Sequence, residues 1–145
     1  MRNFVMKAAL CGLVLSFAGA AEAQKSVAIK KLPFSAARQA DGTLYISGQI
    51  ARTADGADVK ESVDAETRQI MDNIKAILTE HGYSFDDVVK ASVFLEDIED
   101  YHEMNAAYAS YFGEAFPARE CVGGVEIVFD FKVEISCIAY KAPTP

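Results

Sequence analysis

Arg119 and Glu134 are the residues of this chain best suited to chemistry on a small organic acid. Arg119 closes Phe116-Pro117-Ala118-Arg119, a proline-stiffened connection that opens directly into a hydrophobic run. A guanidinium held on rigid backbone presents a planar fork of N–H donors that matches a carboxylate. The same side chain can instead form a surface ion pair with a nearby acid such as Glu120, and residue type alone leaves both readings open. Glu134 lies in FKVEISCIAY, with Val133, Ile135 and Ile138 as apolar neighbours. An acid in such a strand either faces solvent or sits in a pocket with a raised pKa. The sequence holds no HExxH, CxxC, Walker lysine loop or GxGxxG, and its only histidines are His81 and His102. A metal centre built on His and Cys is therefore not expected. His81 adjoins the end of a predicted helix, where a cation suits the dipole, and His102 beside Glu103 reads as solvated. Nothing places either histidine near Ser47 for a Ser-His-Asp triad.

The elements that must position these residues follow from periodicity and turn chemistry. Val27, Ile29 and Leu32 alternate with polar or small residues ahead of Pro33, so Gln24 to Pro33 reads as an edge strand or extended arm. Ala36 to Ala40, the turn pair Asp41-Gly42 and Thr43 to Ile50 predict a β-hairpin. Ala51 to Lys60, with Asp55-Gly56 and no apolar period, predicts a surface loop. Ile70, Met71, Ile74, Ile77 and Leu78 recur at helical spacing between Ser62 and His81, and Gly82 stands where a left-handed cap is wanted. Val88 to Leu95 is rich in β-branched residues and predicts a strand. Asp97 or Asp100 caps a second helix that runs to Gly113, with Tyr101, Met104, Tyr108, Tyr111 and Phe112 forming an aromatic stripe that reads as core. Val122 to Val128 and Phe131 to Tyr140 supply the last two strands. The order β-β-α-β-α-β-β predicts an α+β fold, a mixed sheet covered by two helices on one face. With apolar residues in nearly every strand, the other face is expected to be buried in a homo-oligomer.

Composition bounds the class of partner. The chain has 145 residues, 51% hydrophobic, with a net charge of −7, which fits one folded domain and excludes a predominantly disordered chain. An acidic chain without a Lys/Arg cluster is not expected to bind nucleic acid.

The first 23 residues stand apart. Arg2 and Lys7 precede an uncharged apolar stretch from Ala8, and Ala21-Glu22-Ala23 follows. A basic segment, a short apolar segment and an Ala-x-Ala site predict a secretory signal peptide over residues 1–23. The apolar stretch falls short of the ~20 residues of a spanning helix, so the mature domain, 24–145, is expected to be exported, periplasmic or secreted, with no membrane attachment. Cys121 and Cys137 remain in that domain. A hairpin of the last two strands turning near Phe129 and Asp130 would set Cys121 opposite Ser136 or Cys137, where a one-residue shift of register decides whether the sulfurs meet. Free thiols are the expectation.

Five segments carry a family resemblance. Pro33 to Ile50 (PFSAARQADGTLYISGQI), Arg68 to Leu78 (RQIMDNIKAIL), Val88 to Tyr108 (VVKASVFLEDIEDYHEMNAAY), Phe116 to Val122 (FPARECV) and Lys132 to Tyr140 (KVEISCIAY) resemble the reactive intermediate deaminase family, RidA/YjgF. The resemblance implies a chorismate-mutase-like fold and homotrimers with sites in clefts between subunits. It implies that Arg119 binds the carboxylate of a 2-imino acid and that Glu134 positions or activates the hydrolytic water. Phe34, Ser47, Asn105 and Cys121 match the remaining cleft positions, as substrate-binding residues. The implied reaction adds water to a C=N bond and collapses to a 2-oxo acid and ammonia, without a cofactor, because an imine carbon is already electrophilic. Two departures stand out: Phe34 replaces a tyrosine common in the family, and VGGVEIVFDF (Val122 to Phe131) replaces a charged, proline-containing turn. The alternative is a non-catalytic trimer that binds a small carboxylate in the same cleft or acts as a holdase.

Overall fold

The computed structural model describes residues 33–142; the predicted signal segment and nearly all of the predicted N-terminal arm lie outside them. Ala37–Ala40 (β1) and Thr43–Gln49 (β2) form the expected antiparallel hairpin. The turn between them holds Asp41 and Gly42 at positive φ, the backbone that this residue pair tolerates best. The loop of residues 51–60 is pinned by a bridge between Arg52 and Asp58.

Helix α1, Val63–Glu80, starts where Ser62 accepts a hydrogen bond from the Ala65 amide, and ends at His81 with Gly82 at φ 79°. Its inner face buries Ile70, Met71, Ile74 and Leu78. One acid shares that face. Glu66 is 1% exposed and accepts from the Lys132 and Val133 amides at 2.8 and 3.2 Å. Burial raises its pKa, and those two donors pull it back. The carboxylate thereby satisfies amides at the start of the last strand and ties the helix to it.

Strand β3, Val88–Leu95, has the predicted bounds. Asp97 caps a short 3-10 turn, accepting from the Glu99 amide, and Asp100 makes no side-chain cap to α2, Tyr101–Ala109. The helix stops four residues before Gly113, and the turn that follows packs Tyr111 and Phe112 edge-on against Phe85.

The predicted final hairpin does not form. Strand β4 is Ala118–Gly123 and runs parallel to β3, whereas β5, Val133–Tyr140, inserts between β2 and β3 and pairs antiparallel with both. The sheet order is β1-β2-β5-β3-β4. A parallel neighbour needs a long crossover, and α2 supplies it. Most of the predicted strand beyond Gly123 is instead a connection in which Phe129 and Asp130 adopt φ of 60° and 57°. The central place goes to the segment that alternates most cleanly, with Val133, Ile135, Cys137 and Ala139 all buried. Cys121 is in register with Val93, and Cys137 with Ala91 and Ile46, so β3 separates the two thiols and both are free.

Both helices lie on one face. The opposite face is uncovered and carries Tyr45, Phe94, Val122, Ile138 and Tyr140, with Tyr45 50% and Tyr140 48% exposed. No helix among the described residues is long and apolar enough to cross a membrane.

Candidate active site

Strand alternation fixes which residues can meet. Arg119 and Cys121 stand opposite Ala91 and Val93, whose side chains face the helices. Glu120 and Val122 stand opposite Ser92 and Phe94 on the uncovered face. Glu120 therefore points away from Arg119, and its partners are Lys90 at 3.2 Å and the Ser92 hydroxyl at 2.7 Å. Both hold its carboxyl below the usual range. The ion-pair reading of Arg119 with Glu120 is thus excluded by geometry.

Arg119 instead turns toward α2. Its Nη2 donates to the Tyr101 hydroxyl at 3.3 Å, and its Cζ lies 4.9 Å from the Tyr108 ring centroid and 5.6 Å from that of Tyr101. Among the described residues it has no carboxylate partner. It borders a cleft of about 280 Å3 lined by Asn105, Tyr108, Ala109, Phe116, Pro117 and Arg119. Cys121 is two residues along the same face of β4, its thiol raised in pKa by burial and drawn down by Arg119.

The second group of predicted residues lies elsewhere. Glu134 is in register with Phe94, on the uncovered face. It is half-buried, makes no hydrogen bond or ion pair among the described residues, and burial raises its pKa. Beside it β2 is irregular between Ile46 and Gln49. Gly48 forms the seat of the carboxylate there, since a Cβ at this position would lie 2.7 Å from Glu134 Cδ and closer still to Oε1. Ser47 donates to the Ala36 carbonyl and accepts from Gln49 Nε2. Phe34, 61% exposed, precedes β1 by three residues. Gly48→Ala is expected to push the Glu134 carboxylate, the far end of a flexible side chain, off this seat and lower kcat/KM with little change in stability; a urea midpoint well below that of wild type would show that Glu134 cannot swing clear.

The predicted residues thus separate into two incomplete groups, Arg119, Cys121 and Asn105 at one edge and Glu134 with Ser47 on the uncovered face. Sequence reasoning missed three contributors. Tyr101 and Tyr108 were assigned to the core because an aromatic stripe at helical spacing usually is core, yet both also hold Arg119. The polar Asn105 between them, at spacings of four and three, is the signal that this stripe borders a cleft. Gly48 was passed over because a strand glycine reveals a close approach only once its neighbour is known. Among the described residues no group of three or more His, Cys, Asp and Glu side chains is placed to hold a metal ion.

Comparison with known proteins places this geometry in context. Residues 25–141 match the family model described as endoribonuclease L-PSP. A RutC family protein of Pyrococcus horikoshii is 46% identical over 110 residues, covering 75% of this chain and 87% of that protein. The 2-iminobutanoate/2-iminopropanoate deaminase of Escherichia coli is 39% identical over 101 residues, covering 68% of this chain and 79% of that enzyme. The crystal structure of the YjgF gene product of E. coli superposes with a TM-score of 0.72 at 35% identity, over 75% of this chain and 88% of that one.

Proposed function

We propose, from the premise that this chain belongs to the endoribonuclease L-PSP family, to which the RidA/YjgF proteins belong, that it hydrolyses 2-imino acids and their enamine tautomers to 2-oxo acids and ammonia. The observation that carries the reading is a guanidinium in a cleft without a carboxylate of its own, while the acid suited to proton transfer lies on the other face of the sheet. One chain cannot bring the two together. A second copy laid against the uncovered face can, and a homotrimer with sites between subunits closes such contacts without leaving a free face.

In this arrangement Arg119 grips the substrate carboxylate through paired N–H donors. The partner subunit's Glu134 accepts a proton from a water placed over the imine carbon. The oxygen bonds to that carbon as the C=N π pair moves to nitrogen, which takes up a proton. A second proton transfer makes the nitrogen a leaving group, the C–N bond breaks, and the oxygen's electrons form the C=O of the 2-oxo acid. Asn105, Cys121, the partner subunit's Ser47 and Phe34 shape the cleft around the substrate. No cofactor takes part. The nuclease activity in the family's description is not carried over, since a chain of net charge −7 repels a phosphate backbone.

The test supplies 2-imino acids generated in place by an amino-acid oxidase and follows ammonia and 2-oxo acid. Release faster than the uncatalysed rate supports the reading. Ligand-dependent thermal stabilisation without release would replace it with the non-catalytic carboxylate-binding protein. Because burial raises the Glu134 pKa, the acid limb of kcat/KM is expected above the ordinary glutamate value of 4.5, activity rising with pH as the carboxyl ionises. A pH profile in which Glu134→Gln keeps that limb would assign it to another group.

The same proposal includes export. The basic start, apolar stretch and Ala21-Glu22-Ala23 support a signal peptide that delivers the domain to the periplasm or the medium. Mass spectrometry of the protein recovered from that compartment is expected to find Gln24 as the first residue; a chain that keeps Met1 to Ala23 would overturn it.

A further inference from the structure

We propose that Tyr101 is a positioning residue whose hydroxyl, with the Tyr108 ring as backing, fixes the rotation of the Arg119 guanidinium, so that its fork meets a carboxylate in one orientation. The proposal rests on Arg119 being the carboxylate clamp. An arginine side chain is long and loses much rotamer freedom when it binds, so a clamp gains affinity when it is held in place beforehand. A carboxylate partner would hold it but compete with the ligand. Two tyrosines seven residues apart on α2 hold it without that competition. The Tyr101 hydroxyl takes one N–H of Nη2 at 3.3 Å, and the guanidinium carbon lies 4.9 and 5.6 Å from the two ring centroids, within reach of cation–π attraction.

The surroundings bring no negative charge against the guanidinium. Tyr108 is 3% exposed and its hydroxyl has no hydrogen-bond partner among the described residues. Burial keeps that hydroxyl protonated, so Tyr108 offers a ring face and no charge. Glu103, the one acid within α2, accepts from the Asp64 amide at 3.0 Å, away from the cleft. Arg119 spends one N–H on the Tyr101 oxygen, which leaves the remaining guanidinium donors for a ligand.

Calorimetric titration of the full protein with 2-oxobutanoate, beside steady-state kinetics on 2-imino acids, tests this. Tyr101→Phe keeps the ring and removes the hydroxyl. Its Kd and KM are expected to rise roughly tenfold, with kcat within about twofold of wild type and an unchanged thermal midpoint. A purely structural tyrosine would instead move the midpoint and leave Kd alone. Tyr101→Leu, which removes the ring as well, is expected to weaken binding further. Wild-type affinity in Tyr101→Phe overturns the proposal, as does a wild-type protein that binds no 2-oxobutanoate. A wild-type protein that binds 2-oxobutanoate but releases no ammonia overturns the hydrolase reading and leaves the tyrosine clamp standing.

Discussion

Arg119→Ala is expected to lower kcat/KM for 2-imino acids by roughly two to four orders of magnitude, while the fold and the proposed homotrimer persist. The estimate follows from the loss of two charge-assisted hydrogen bonds at about 1.5–3 kcal/mol each, every 1.4 kcal/mol being a factor of ten. Its own packing is modest, since it lies against two ring faces at the sheet edge and, among the described residues, forms no ion pair. Arg119→Lys is expected to recover only part of the loss, because an ammonium is a point charge without a fork. Kinetics beside analytical ultracentrifugation check both statements. A variant within tenfold of wild type would remove Arg119 from the site.

Arg119→Ala and Glu134→Gln are each expected to be nearly inactive alone, yet coexpression of the two should restore about one quarter of wild-type activity. With the arginine of each site taken from one subunit and the acid from the next, as proposed, random assembly in equal amounts would make one interface in about four fully wild type. The two side chains occupy opposite faces of one sheet, so under the proposed arrangement intact sites would arise only between chains. Mixed assemblies no more active than the single variants would mean that the chemistry stays within a subunit and that Glu134 is not its acid.

Much of this was legible in the sequence because it depends on neighbours in the chain. The β1–β2 hairpin is written in Asp41-Gly42, α1 in the spacing of its isoleucines, and β3 in one run of β-branched residues. The fate of the last strands was not, because β5 pairs with residues some ninety positions earlier in β2, and no local pattern records that choice. The chemical types at Arg119 and Glu134 were readable. Their separation onto two faces was not, since it depends on strand register, and the same holds for Gly48 beneath Glu134. An ion pair between Arg119 and Glu120, adjacent in sequence, was one of two open readings, and pleating sends the two side chains to opposite sides.

The uncovered sheet face would also tie the proposed activity to protein concentration. If every site needs two chains, dilution below the dissociation constant of the assembly removes sites as well as subunits, and the rate falls faster than the amount of protein. Apolar side chains such as Tyr45 and Tyr140 would return to water at the same moment. An enzyme released into an open medium would then go silent as it disperses, whereas one retained in a confined compartment would keep working, so specific activity measured along a dilution series reports on the volume in which the protein evolved to act.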